Sequence, residues 1–108
     1  MIAAPIATGT FVDVEDDLVQ DVRGLGALGV QLTGTWAGVV SFEVTVDGVT
    51  WVALRMLPSD SSTAATSATV NGAWTANVAG YLLARARFST DTSGTVGVNL
   101  LAISEAGR

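Results

Sequence analysis

Three side chains that carry much of protein chemistry are missing from this chain of 108 residues: cysteine, histidine and lysine. Without cysteine there is no disulfide, no thiol nucleophile and no thiolate metal site. Without histidine the commonest general base and the commonest metal ligand are gone. A Ser-His-Asp triad and a zinc site of the usual kind go with them. Without lysine there is no Schiff base and no lysine-bearing phosphate loop. All five positive charges are arginines. These absences argue against an enzyme and against any cofactor.

Charge is also scarce. Only 14% of residues are charged, against about 25% in an ordinary soluble domain. The balance is −5, which argues against nucleic acid, a partner that needs clustered positive charge to displace its counterions. Long apolar runs are lacking too. Nowhere do 18 apolar residues follow one another, so no membrane span is expected. Residues 1–11 are apolar, but no basic residues precede them, so no secretory signal is expected there.

What is present is hydrophobic and strongly alternating. Hydrophobic residues make up 49% of the chain, too many for an intrinsically disordered one. Val40, Phe42, Val44 and Val46 alternate with Ser41, Glu43, Thr45 and Asp47, the period of a strand with one buried face. Asp47-Gly48 follows, and then Val52, Leu54 and Met56 share one parity. That order predicts a hairpin with a two-residue turn and a positive φ at Gly48. Leu82, Ala84, Ala86 and Phe88 alternate next, then Asp91-Thr92-Ser93-Gly94, then Val96, Val98, Leu100 and Ala102. This reads as a second hairpin. Shorter strands are expected over residues 10–14, 28–33 and 73–78, and a short helix is possible over 16–23.

Strands spaced about ten residues apart with Gly-rich turns predict an all-β fold. The expected architecture is an antiparallel β-sandwich, jelly-roll or Ig-like, with about 7–8 strands. The expected organisation is an N-terminal arm and acidic segment over residues 1–27 and the sandwich over 28–108. The Ser/Thr/Ala-rich stretch 58–69 would cross from one sheet to the other.

Few residues suggest a site. Gly24, Gly26 and Gly29 spell G-x-G-x-x-G, but the dinucleotide fingerprint needs a strand before it and a helix after it. A Gly-rich connection is the simpler reading. Asp13, Glu15, Asp16, Asp17 and Asp21 are dense enough in carboxylates to hold calcium, yet they do not have EF-hand spacing and equally suit a solvated rim. Trp36, Trp51, Trp74 and Tyr81 are either a sugar-stacking platform or plugs for the core ends or an interface. Arg85 and Arg87 share a strand face and suit carboxylate pairing with the acidic segment, in this chain or a neighbour.

Two stretches carry a resemblance. Residues 34–57 open G-T-W-A-G-V-V-S-F-E-V-T-V-D-G-V-T-W-V-A-L, and residues 78–104 read V-A-G-Y-L-L-A-R-A-R-F-S-T-D-T-S-G-T-V-G-V-N-L-L-A-I-S. Together they resemble small β-sandwich structural proteins of tailed bacteriophages. The resemblance implies a non-enzymatic virion component: a head decoration protein, a neck or tail-tip part, or a fibre domain. The implied location is the virion. The implied partners are copies of the same chain, a trimer among the assemblies it allows, and a major capsid or tail protein. The high mean hydropathy of +0.49 fits a subunit that buries surface in an assembly. Interface residues expected on this reading are Ile2, Ile6, Trp36, Trp74, Tyr81, Arg85 and Arg87, with residues 1–11 docking on a neighbour. The alternative from another class is a carbohydrate-binding module for a cell-surface glycan. A row of exposed aromatic rings on one sheet face would favour that alternative.

Overall fold

The computed structural model describes residues 5–104. Eight strands form, all pairing antiparallel: β1 (Ala7–Phe11), β2 (Asp17–Asp21), β3 (Ala27–Thr45), β4 (Val52–Ala53), β5 (Leu57–Pro58), β6 (Ser67–Ala68), β7 (Gly72–Asn77) and β8 (Leu83–Ile103). The all-β antiparallel expectation holds. Residues 16–23 form no helix. Asp17–Asp21 is a strand against Leu83–Arg87 of β8, because Leu18 and Gln20 turn inward while Asp17, Val19 and Asp21 stay exposed.

The fold is organised by β3 and β8, of 19 and 21 residues, which pair along their whole shared length. Here the structure corrects the sequence reading. Residues 83–103 are not a hairpin but one continuous strand, and 28–33 and 40–45 belong to another. Asp91-Thr92-Ser93-Gly94 does not reverse the chain. It lies opposite Trp36–Gly38, where the register slips at Ala37/Gly38 and again at Val39/Val40. Such bulges bend a ribbon and increase its twist.

The bend demands glycine. Gly38 and Gly94 have φ of 147° and 87°, in the region that side chains disfavour. A Cβ on Gly38 would run into the Thr90 carbonyl, and one on Gly94 into the Thr35 carbonyl.

Bent in this way, the ribbon contributes one half to each of two layers. In layer A, the first half of β3 and the second half of β8 lie between β7 with β5 on one side and β1 on the other. In layer B, the second half of β3 and the first half of β8 lie between β4 with β6 and β2. Away from the bend, even-numbered residues of both long strands face inward: Leu28, Val30, Leu32, Val40, Phe42, Val44, Ala84, Ala86, Phe88, Val96, Val98 and Leu100 are all buried. Aromatic contacts join the layers. Phe42 of layer B meets Trp74 of layer A at 5.5 Å, and Phe88 meets Phe11 at 6.2 Å.

The N-terminal residues do not form an arm over 7–27. β1 and β2 are ladder strands of the chain's own sheet, and Phe11 and Val22 are core residues. The apolar residues before β1 concealed this, since the alternation begins only at Ala7. The stretch 58–69 does change layers: it leaves β5, beside β7, and returns as β6, beside Val40 and Ser41.

The Asp47-Gly48 corner closes β3 onto β4, with Val44 opposite Val52. The loop is longer than two residues, because the Asp47 carboxylate organises it. Its Oδ1 accepts from the Thr50 amide (2.7 Å), the Val49 amide (2.8 Å) and the Thr45 hydroxyl (2.9 Å). These donors hold the carboxyl down to about 2. Gly48 has a φ of 81°, the sign expected from the sequence.

Candidate interaction surfaces

Because side chains alternate across a strand, each layer sends its odd-numbered β3 and β8 residues outward. The two outer faces have opposite chemistry.

On layer B the outward residues include Glu43, Arg85 and Arg87, with Asp17 on β2. Register sets Glu43 beside Arg85, and Arg85 beside Val19. The Glu43 carboxylate accepts from Arg85 Nε at 2.7 Å and from Arg87 through Nε and Nη2, both at 3.1 Å. Arg87 Nη1 also donates to both Glu15 oxygens at 2.8 and 3.0 Å. Arg85 Nη1 reaches Asp17 at 3.3 Å, and its guanidinium lies 4.2 Å over the Trp51 ring, a cation–π contact. Glu43, Arg85 and Arg87 are only 15%, 18% and 22% exposed. Partial burial pushes the Glu43 carboxyl up, but the hydrogen bonds from Arg87 and Arg85 outweigh it and leave the group below its ordinary range. Glu43 in turn raises Arg87. Nearby, the Ser41 and Ser89 hydroxyls are bonded at 2.7 Å, and Ser89 donates to the Val39 carbonyl.

The arginine–carboxylate pairing expected from sequence is therefore present and lies within one chain. The acidic segment supplies Glu15 and Asp17. Glu43, the central partner, was not evident, because its neighbours are more than 40 residues away and the β3–β8 register places them. The other acids have separate tasks. Asp16 accepts from the amides of Val12 and Asp13, both at 2.9 Å, and Asp21 pairs with Arg23 at 2.9 Å. Among the described residues no group of three or more acids is gathered as a metal site.

Among the described residues, the outward ladder positions of β1, β3, β7 and β8 on layer A carry no charge. The β3 row is Ala27, Gly29, Gln31, Thr33 and Thr35, and the β8 row is Ile103, Leu101, Asn99, Gly97 and Thr95. β7 adds Ala73, Thr75 and Asn77, and β1 adds Thr8 and Thr10, with Ile6 beyond its end. A shallow hollow of about 360 Å³ opens here over Gly29, bordered by Ile6, Gln31, Thr75, Asn99 and Leu101. A smaller apolar recess of about 140 Å³ adjoins it at Ala27 and Ile103. The signal for this face was present in the odd positions of three strands, but it becomes visible only once their pairing is known.

The remaining expected interface residues divide. Ile6 is exposed at 63% and borders the hollow. Ile2 lies outside the described residues. Trp74 is 5% exposed against Phe42, so it belongs to the chain's own core. Its even position on β7 pairs with inward Val30. Trp36 is half-buried at the bend, edge-on to Phe88 at 6.0 Å, and its Nε1 donates to Asn71 Oδ1 at 2.7 Å. Asn71 donates in turn to the Gly34 carbonyl at 2.8 Å. Tyr81 packs half-buried against the core. The described tryptophans form no row of exposed rings. The glycine triplet is a turn at Gly24, a backbone bond from Gly26 to Ile103, and the floor of the layer A hollow at Gly29.

No family model and no curated protein matches the chain. Two solved structures share its fold. The SPBc2 prophage-derived protein YomS superposes with a TM-score of 0.75 over 94% of this chain and 97% of its own, at 14% identity. The PBSX exported protein XepA superposes with a TM-score of 0.75 over 92% of this chain, at 23% identity. This chain spans 38% of the XepA chain.

Proposed function

We propose that this chain is a non-enzymatic structural subunit of a bacteriophage particle, decorating or stabilising its surface through protein–protein contacts. The observation that carries the reading is the charge-free outer face of layer A. Depletion of charge at the centre of a patch is the compositional mark of protein interfaces, and a free chain would gain solubility from charges there. Two further observations support it. The fold is shared with a prophage-derived protein and with the PBSX exported protein. The chain also has none of the His, Cys or Lys groups on which most acid–base and nucleophilic catalysis relies. The positions of the tryptophans favour this reading over glycan recognition, because Trp74 is in the core and Trp36 and Trp51 are half-buried with partners.

The test is peptide mass spectrometry on phage particles purified by density gradient from the strain that carries this sequence. The proposal expects the chain in stoichiometric ratio to the major capsid or tail protein. Its absence from purified particles, with the chain free in the lysate, would overturn it.

A further inference from the structure

We infer that the charge-free face of layer A is covered by the same face of a second copy of this chain, in a two-fold, face-to-face pair. The inference deepens the structural reading above by naming the first partner of that face.

Three observations select a second copy. The first is electrostatic. The chain carries −5 overall, so copies repel wherever their acidic parts meet. Among the described residues, the paired strands of layer A present a broad face on which two copies touch without bringing like charges together, and those positions offer nothing to complement a charged partner. The second is shape. A two-fold contact must be self-complementary, since the same patch serves both sides. This face carries both halves of such a fit: Leu101 projects from it, 41% exposed, and the hollow over Gly29 lies beside it. Leu101 of each copy has the size to enter the hollow of the other. Gln31 and Asn99, side by side in the register, present amide donors and acceptors that can bond to one another across the pair. The third is extent. Four strands about 4.8 Å apart, two of them about nine residues long here and β1 and β7 of five and six, give a patch of about 460 Å² in projection. That is more than half of the ~800 Å² that each partner contributes to a stable interface, before Ile6 at its border is added.

The Gly29 position supplies a clean test. A Cβ there would meet only the carbonyls of Leu101 and Trp74, at 3.9 and 4.0 Å, which is ordinary contact. Gly29→Arg therefore leaves the chain's own fold intact while filling the hollow with a charge. Leu101→Arg removes the projecting group and serves as the second variant. Sedimentation velocity of the full chain is measured across the micromolar range at low and high salt, with circular dichroism and thermal melts confirming that both variants fold. The expected result is a concentration-dependent dimer for the parent chain, weakened about 100-fold in each variant. Salt should hold or strengthen the dimer, since it screens the repulsion between two acidic copies. A parent chain that stays monomeric at high micromolar concentration overturns the inference. So do folded variants that dimerise like the parent, or a dimer that salt dissociates, which would place charged groups in the contact. The particle test separates this inference from the reading beneath it. A chain present in particles but indifferent to Gly29→Arg sinks only the pairing. A chain that dimerises through this face but is absent from particles sinks only the virion role.

Discussion

The two outer faces come from the same pair of strands and have opposite fates. On layer B, long side chains lie flat and saturate one another: Glu43 holds Arg85 and Arg87, which hold Asp17 and Glu15 in turn. On layer A, most side chains are short and the amides of Gln31 and Asn99 lie opposite one another beside a hollow. Layer B is finished within one chain, whereas layer A leaves its surface open to another molecule. The difference shows why counting charged or aromatic residues points to the wrong place. Residues conspicuous in the sequence, such as Arg85, Arg87 and Trp74, spend their chemistry internally, while the face available to a partner sets glycine, threonine, alanine and amides around Leu101 and Ile103.

The largest way to break the comparison is to remove the bend that creates the two faces. Gly38→Val places a branched side chain against the Thr90 carbonyl at a φ of 147°, and should cost about 3 kcal/mol or more. Chemical denaturation would read it, and a cost below ~1 kcal/mol would show that the bend tolerates side chains.

A smaller loss tests whether layer B is sealed by its ion network. Glu43→Ala leaves two half-buried guanidinium groups without their shared acceptor, and should destabilise by about 2 kcal/mol with no change in oligomeric state. Isolated surface pairs are worth less, so a loss under ~0.5 kcal/mol would reduce layer B to ordinary surface. The same network has a pH signature. The folded Glu43 carboxyl lies below its ordinary value of 4.5, so its contribution is present above that value and fades as pH falls through the folded one. The stability gap between the parent chain and Glu43→Gln should therefore be widest near neutrality and close in acid. A gap that is constant with pH would assign the effect to packing.

The smallest effect on stability is expected on layer A. Thr33→Glu, exposed on that face, should change the melting free energy by no more than about 0.5 kcal/mol while weakening self-association. A marked loss of stability would mean that this face is already engaged within the chain.

The strands were legible in the sequence wherever alternation is strict, and the inward parity of Val40–Phe42–Val44 and Val96–Val98–Leu100 follows from it directly. Pairing was not legible. A period of two shows that residues 82–88 and 96–102 are strands, but Asp91-Thr92-Ser93-Gly94 reads equally as a reversal or as a bulge. Only the partner strand decides, and it lies some 50 residues away in the register between Trp36–Gly38 and β8. The charge network failed to appear for the same reason: Glu43 gains its arginines through that register. β2 was obscured by its composition, since Asp17, Gln20 and Asp21 look like a solvated helix until Leu18 is seen to point inward.

The asymmetry between the faces is tested most directly by spin labels, which a chain without cysteine accepts at single introduced sites. Thr33→Cys places a label on the face of layer A, and Ala53→Cys places one beside Glu43 on layer B. Dipolar coupling between labelled copies is then measured as the protein is concentrated. Coupling at residue 33 should grow with concentration, with none at residue 53. Coupling at residue 53, with residue 33 silent, would contradict the asymmetry.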